Sequence, residues 1–227
     1  MDGTTDRRDA IRQLAGGALA LAATACMPSG SSSALSPAPS TSAFDMSWLQ
    51  RINKRRRMVF DTNDVAGGAG LAFVASYLEG AEQAYGDPDA STVLVHRHAS
   101  VPIVMNDDIW RRMGLGESLK LKDPTTGETA MRNPFVGYKE GDKFTMTGAK
   151  AGLDVLMKNG TIVLACNRAL TGYANQLANK EKMDRAAALK EMKANLIPGV
   201  YVVPNGVFGV CAAQEANCGY IAGRSVR

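Results

Sequence analysis

From Arg57 onward the chain alternates between short continuous apolar runs and longer segments whose apolar residues recur every three or four positions. The runs RMVFD (57–61), STVLVH (91–96), TIVLAC (161–166) and GVYVV (199–203) have the length and β-branched content of buried strands, whereas a helix needs a longer stretch. Between them, GLAFVASYLEGAEQAY (70–85) predicts an amphipathic helix and NDDIWRRM (106–113) a short one. Asn106 is placed to cap the second, because an Asn side chain accepts a hydrogen bond from a free N–H of the first turn. Further helices are expected over 150–158, 167–177, 181–196 and 206–216. Strands that alternate with helices predict a mainly parallel sheet covered on both faces. The expected fold class is therefore α/β, a small Rossmann/flavodoxin-like three-layer sandwich over residues 56–227.

Two stretches break this rhythm. Between Gly114 and Asp142 the hydrophobic period disappears and Gly, Pro and Thr accumulate, which predicts a long functional or mobile loop. Residues 27–43 are a low-complexity Ser/Pro tract expected to be disordered, and the linker with its basic entry is expected to reach residue 55.

The first 26 residues read differently from the rest. Arg7 and Arg8 precede a weakly apolar segment, Leu14 to Ala25, that is broken by Gly16 and Gly17. It is too short to span a bilayer as a permanent helix. The pattern resembles a twin-arginine export signal; an ordinary helix start or a general secretory signal is the competing reading. Small residues before Cys26 and the flexible tract after it resemble a lipoprotein cleavage site, with Ala23 where that pattern prefers Leu. Cleavage without lipid is the alternative. The expected location is periplasmic or exported, with membrane contact only through the signal or a lipid on Cys26.

The 227 residues, 45% hydrophobic and 21% charged, suffice for one domain with a sizeable core. Net charge is +4, and the one dense basic run, Lys54 to Arg57, stands at a strand entrance without an aromatic-rich strand beside it. No nucleic-acid partner is expected.

In an open parallel sheet, ligands collect beyond the carboxyl ends of the strands. The residues there are Thr62, Asn63 and Asp64; His96, Arg97 and His98; Cys166, Asn167 and Arg168; and Pro204, Asn205 and Gly206. The glycines of AGGAGLAF (66–73) do not reproduce the dinucleotide fingerprint, and they read as close helix-to-sheet packing. No organic cofactor is predicted. His96 and His98, spaced by two on an extended segment, would share a face and are the alternative metal pair, with Cys166 or Asp64 as a third ligand. Cys166 opens a helix, where free N–H groups favour an anionic sulfur, and Arg168 adds positive charge. Nucleophilic chemistry and simple burial both fit that position. If the last helix ran through Cys211 and Cys218, they would lie about 10 Å apart, beyond disulfide reach. A Cys166–Cys211 bridge is the alternative to a free thiol.

Together VLVHRHASVPIVMNDDIW (93–110), VLACNRAL (163–170) and LIPGVYVVPNGVFGVCAAQEANCGYI (196–221) resemble the DsrE/DsrF-like family of sulfur-relay proteins, in an exported branch. The resemblance implies a Rossmann-like homo-oligomer that passes sulfur as a persulfide on a cysteine after a central strand, and Cys166 is the corresponding position. The expected site is Cys166, Arg168 and His98 for chemistry, with Asn63, Asp64, Asn167 and Asn205 for substrate. The expected partner is a small sulfur compound or a sulfur-donor protein. The other function class is a non-enzymatic oligomer that binds a metal or small ligand at the same strand ends.

Overall fold

A computed structural model describes residues 43–87, 89–138, 142 and 151–223. The expected export signal, the Ser/Pro tract up to residue 42 and the start of the helix expected from residue 150 lie outside the described residues.

In chain order the elements are β1 (Arg56–Thr62), α1 (Ala69–Tyr85), β2 (Ala90–His96), α2 (Asp107–Met113), α3 (Leu115–Ser118) and α4 (Leu153–Lys158). They continue with β3 (Ile162–Cys166), α5 (Asn167–Glu181), α6 (Arg185–Ala194), β4 (Tyr201–Val203), α7 (Gly206–Glu215) and β5 (Gly219–Ala222). The strands pair in the order β4-β3-β2-β1-β5, all parallel. In register, Val59 lies beside Val93 and Phe60 beside Leu94, and Leu94 lies beside Val163.

Crossovers between parallel strands are right-handed almost without exception. The steps from β1 to β4 all move the same way across the sheet, so α1 to α6 fall on one face. There Leu71, Trp110, Leu156, Leu170 and Met192 pack on Phe60, Leu94 and Val163. The last step runs back past every strand to set β5 beside β1, which puts α7 on the opposite face. Val210 and Ala213 of α7 cover Val59, Val93, Val95, Ile162 and Leu164 there. Central strands buried on both faces explain why the strand runs are continuously apolar. The fold is the expected α/β Rossmann/flavodoxin-like sandwich.

The structure corrects two expectations and adds one strand. The domain begins before residue 56: Ser47–Arg51 form a 3-10 turn whose Trp48 is fully buried and joins the core under α7. One helix cannot cover a face that wide, and this turn covers the remainder. The described part of the segment from 114 to 142 is pinned rather than loose. It contains α3, an antiparallel bridge from Lys122 to Thr129, and Ala130 and Phe135 in the core. Buried Asn133 ties it down by donating to the carbonyls of Ile103 and Met105 (2.8 and 2.7 Å) and accepting from Phe135 N–H (2.9 Å). The last helix ends at Glu215, and Cys218 leads into β5, a strand the sequence did not suggest because it is four residues long with three of them exposed.

Smaller shifts concern helix ends. Asn106 caps α2 as expected, accepting from Ile109 N–H at 3.1 Å. The helix after β3 runs on to Glu181, ends at Lys182 in a left-handed conformation, and restarts at Arg185 under the cap of Asp184. Of the glycines after β1, Gly70 serves close packing on the sheet as read: a Cβ there would overlap Thr62 Cγ2 and crowd the Gly223 carbonyl, whereas a Cβ on Gly67 would meet nothing within 4 Å. The Gly70 contact seats the start of α1 on the ends of β1 and β5. No helix among the described residues is long and apolar enough to cross a membrane.

Candidate functional site

Each of β2, β3 and β4 ends in a tight change of direction. After β2 the chain turns at His98, whose φ of +49° starts a 3-10 turn over His98–Val104. Few non-glycine residues hold that conformation. It is fixed by Arg97 N–H donating to Ser100 Oγ (3.0 Å) and Ala99 N–H donating to the Asn63 carbonyl (3.1 Å). After β3, Cys166 is the N-cap of α5, and its Sγ accepts from Ala169 N–H at 3.4 Å. After β4, Asn205 caps α7 and accepts from Phe208 N–H at 2.9 Å.

These three ends surround one cavity of about 570 Å³, within the range of small-molecule sites. Arg97, His98, Cys166, Arg168, Tyr173 and Asn205 are among its lining residues, and no acidic side chain is. Two helix N-termini, of fifteen and ten residues, therefore open at the same space, and each presents partial positive charge there. Cys166 is 6% exposed; His98 and Arg168 are exposed.

Arg97 is the best-anchored of the polar lining groups. Its Nε and Nη2 donate to Asp61 Oδ1 and Oδ2 at 2.6 and 2.8 Å, and Tyr220 OH donates to Asp61 Oδ2 at 3.1 Å. Asp61 is 8% exposed, so this two-point ion pair is shielded from water. The Asp61 hydrogen bond holds the Arg97 guanidinium above its ordinary pKa, against the opposing effect of burial. The arginine stem lies on the first turn of α7, where a Cβ on Gly206 would come within 2.6 Å of Arg97 Cβ.

The expected site residues separate into two groups. Cys166, Arg168, His98 and Asn205 meet at the cavity. Asn63, Asp64 and Asn167 do not line it. Asn63 contributes its carbonyl to the His98 turn, the Asp64 carboxylate accepts from Ala66 N–H at 3.2 Å, and the buried Oδ1 of Asn167 has no partner among the described residues.

The alternative histidine pair is not formed. The strand ends at His96, so the two side chains do not share an extended face: His98 reaches the cavity, whereas His96 is fully buried on the α1–α6 side. Thr62 Oγ1 commits its hydrogen to the Val95 carbonyl (2.6 Å), which leaves His96 Nδ1 as the donor to Thr62 Oγ1 (3.0 Å). Its Nε2 then carries a lone pair with no partner among the described residues. Burial pushes the His96 pKa down to about 3. No group of three or more His, Cys, Asp or Glu able to hold a metal occurs among the described residues. Burial also raises the Tyr173 pKa, helped by the charge of Asp64. The alternative of a Cys166–Cys211 bridge is not met. All three described cysteines are free, and Cys211 is exposed while Cys166 is buried.

Sequence reasoning missed three contributors. Arg97 stood among the strand-end residues but carried no role. Asp61 was visible as an acid inside the apolar run RMVFD, a signal that it meets a cation. Tyr220 required β5 to be recognised first.

No protein-family model and no curated protein matches the chain. Among solved structures, a protein of unknown function, MTH1491 from Methanobacterium thermoautotrophicum, is similar at 15% identity with a TM-score of 0.40. The match covers 74% of this chain and 98% of that one.

Proposed function

We propose that this protein carries sulfur as a persulfide on Cys166, as an exported relative of the DsrE/DsrF-like relay proteins that acts as a homo-oligomer. The observation that carries the reading is the position of the Cys166 sulfur, which takes the Ala169 N–H at the head of a fifteen-residue helix while facing a cavity lined by Arg97 and Arg168. Free N–H groups and arginines favour an anionic sulfur, which is the form that attacks and the form that is carried. The free state of Cys166 supports the same reading. Export rests on the Arg7-Arg8 pattern and the apolar segment behind it.

In the transfer step the Cys166 thiolate attacks the outer sulfur of a donor R–S–SH. A new S–S bond forms at Cys166 as the donor S–S bond breaks, and R–S⁻ leaves. The outer sulfur keeps its proton until His98, which lines the cavity, accepts it. Oxidation states are exchanged between donor and carrier, so no external oxidant is needed.

The test is mass analysis of the Cys166 peptide after incubation with a persulfide donor, in the wild type and in Cys166→Ser. The wild type is expected to gain one sulfur atom on that peptide. Equal labile sulfur on the variant refutes the proposal. The second reading is a small-ligand module without turnover; Gln176 and Asn205 in the cavity wall favour it. A ligand retained in full by Cys166→Ser would select it.

A further inference from the structure

The cavity that holds Cys166 is one-sided in charge. Two arginines line it and no carboxylate does, although acidic residues are nearly as common as basic ones in the chain, 22 against 26. The one acid that touches this group, Asp61, lies behind Arg97 and binds two of its N–H groups. A guanidinium has five N–H donors in a rigid plane, so three remain on Arg97 with no partner among the described residues. Arg97, half-buried, is not free to swing: it is held at two points by a buried carboxylate that Tyr220 also holds, and its stem rests on Gly206, where nothing larger fits. A guanidinium fixed in this way, with spare donors toward a cavity, is preorganised for an oxyanion. Arg168, an exposed lining residue, adds charge without fixed geometry.

The geometry points to a small sulfur donor that bears a second, anionic group, with Arg97 as the residue that reads that group while Cys166 takes the sulfur. This rests on the sulfur-carrier reading and adds the chemical class of the donor. Asp61 is then a positioning residue that acts through Arg97. The small side chains of Ala99, Ala169 and Gly172 on the wall leave room for the short carbon chain that joins the two groups.

The test compares two donors of equal length and opposite charge, the persulfides of 3-mercaptopropionate and of cysteamine. The second-order rate of sulfur gain on Cys166 is followed by mass. The wild type is expected to favour the carboxylate donor by about tenfold or more, the worth of one charge-assisted hydrogen bond, and the ratio should fall as salt is raised. Arg97→Gln is expected to bring the ratio near one, and Arg168→Gln to lower it by a smaller factor. Arg97→Lys should keep part of it, since charge remains but the fork is lost. Equal rates for the two donors in the wild type overturn the inference and leave the sulfur reading standing. A preference that is insensitive to salt, or that survives Arg97→Gln, overturns it as well. Failure of both donors to load Cys166 removes the sulfur reading and the donor class with it. The salt series uses the unaltered protein, so the outcome holds even if Arg97→Gln, which strands buried Asp61, does not fold.

Discussion

Lowering the pH should destabilise the protein through His96, and the amount follows from its burial. In the folded chain the imidazole is fully buried, neutral, and titrates only near pH 3, against 6.5 for the free side chain. Between those values the unfolded chain holds a proton on His96 that the folded chain does not. Stability must therefore fall as pH falls from 6.5 toward 3, and rise in the other direction. Each unit of pH within that window is worth about 1.4 kcal/mol. From pH 7 to pH 5 the loss is about 2 kcal/mol, and across the whole window it is about 5 kcal/mol. Other groups titrate over the same range, so the contribution of His96 is read as a difference. His96→Asn keeps a polar atom near Thr62 but cannot take up a proton, and its packing defect is the same at every pH. Urea unfolding at pH 7, 6 and 5 gives the two curves. The advantage of the wild type over the variant should shrink by about 2 kcal/mol across that range. Parallel curves would show that His96 is not held neutral by burial, and the placement of its ring against Thr62 would then be wrong.

Three further outcomes test other parts of the structure. Trp48→Ala should cost about 3–5 kcal/mol in chemical unfolding, the usual loss for a buried tryptophan, whereas a residue in a disordered linker would cost nothing measurable. Gly206→Ala should lower stability by about 1–3 kcal/mol, because the new Cβ meets Arg97 Cβ and Cδ rather than a movable side-chain tip; the displaced arginine should also slow sulfur loading on Cys166. Asn133→Ala leaves the buried carbonyls of Ile103 and Met105 without their donor. It should cost about 2–4 kcal/mol and speed protease cleavage between residues 114 and 138, a change that native-state proteolysis reads directly.

The strands and main helices were legible because each carries its own signal. RMVFD, STVLVH and TIVLAC are buried on both faces, so their side chains show no polar alternation to confuse the reading. Asn106 announces its helix because capping is local. What escaped was structure that depends on a distant partner. Trp48 is ordinary in a polar neighbourhood until the last crossover reverses and leaves a wide sheet face under one helix. Gly219–Ala222 becomes a strand only because β1 has a free edge. The segment after Gly114 lost its period because its order comes from single polar residues, Asp123 and Asn133, which satisfy backbone groups one at a time. The histidine pair failed for a related reason: the backbone was taken to stay extended for two residues past β2, and a left-handed turn at His98 sent the rings apart.

The site itself was half legible, and topology decides which half. The strand-end rule selects residues after every strand alike, so it named Asn63 and Asp64 beside Cys166 and Asn205. The rule favours the crevice between adjacent strands whose outgoing helices lie on opposite faces, which here is between β3 and β4. The end of β1 is instead filled by the packing of Gly70 on Thr62 and Gly223. The open space lies at the ends of β2, β3 and β4, where α5 and α7 begin on opposite faces of the sheet and both turn their N-termini toward Cys166. Because α7 crosses back over the sheet, its first turn also meets Arg97, and β5 delivers Tyr220 to Asp61 on the far side. The single reversed crossover that carries α7 to the other face thus both opens the crevice beside β3 and assembles the cationic wall around the cysteine.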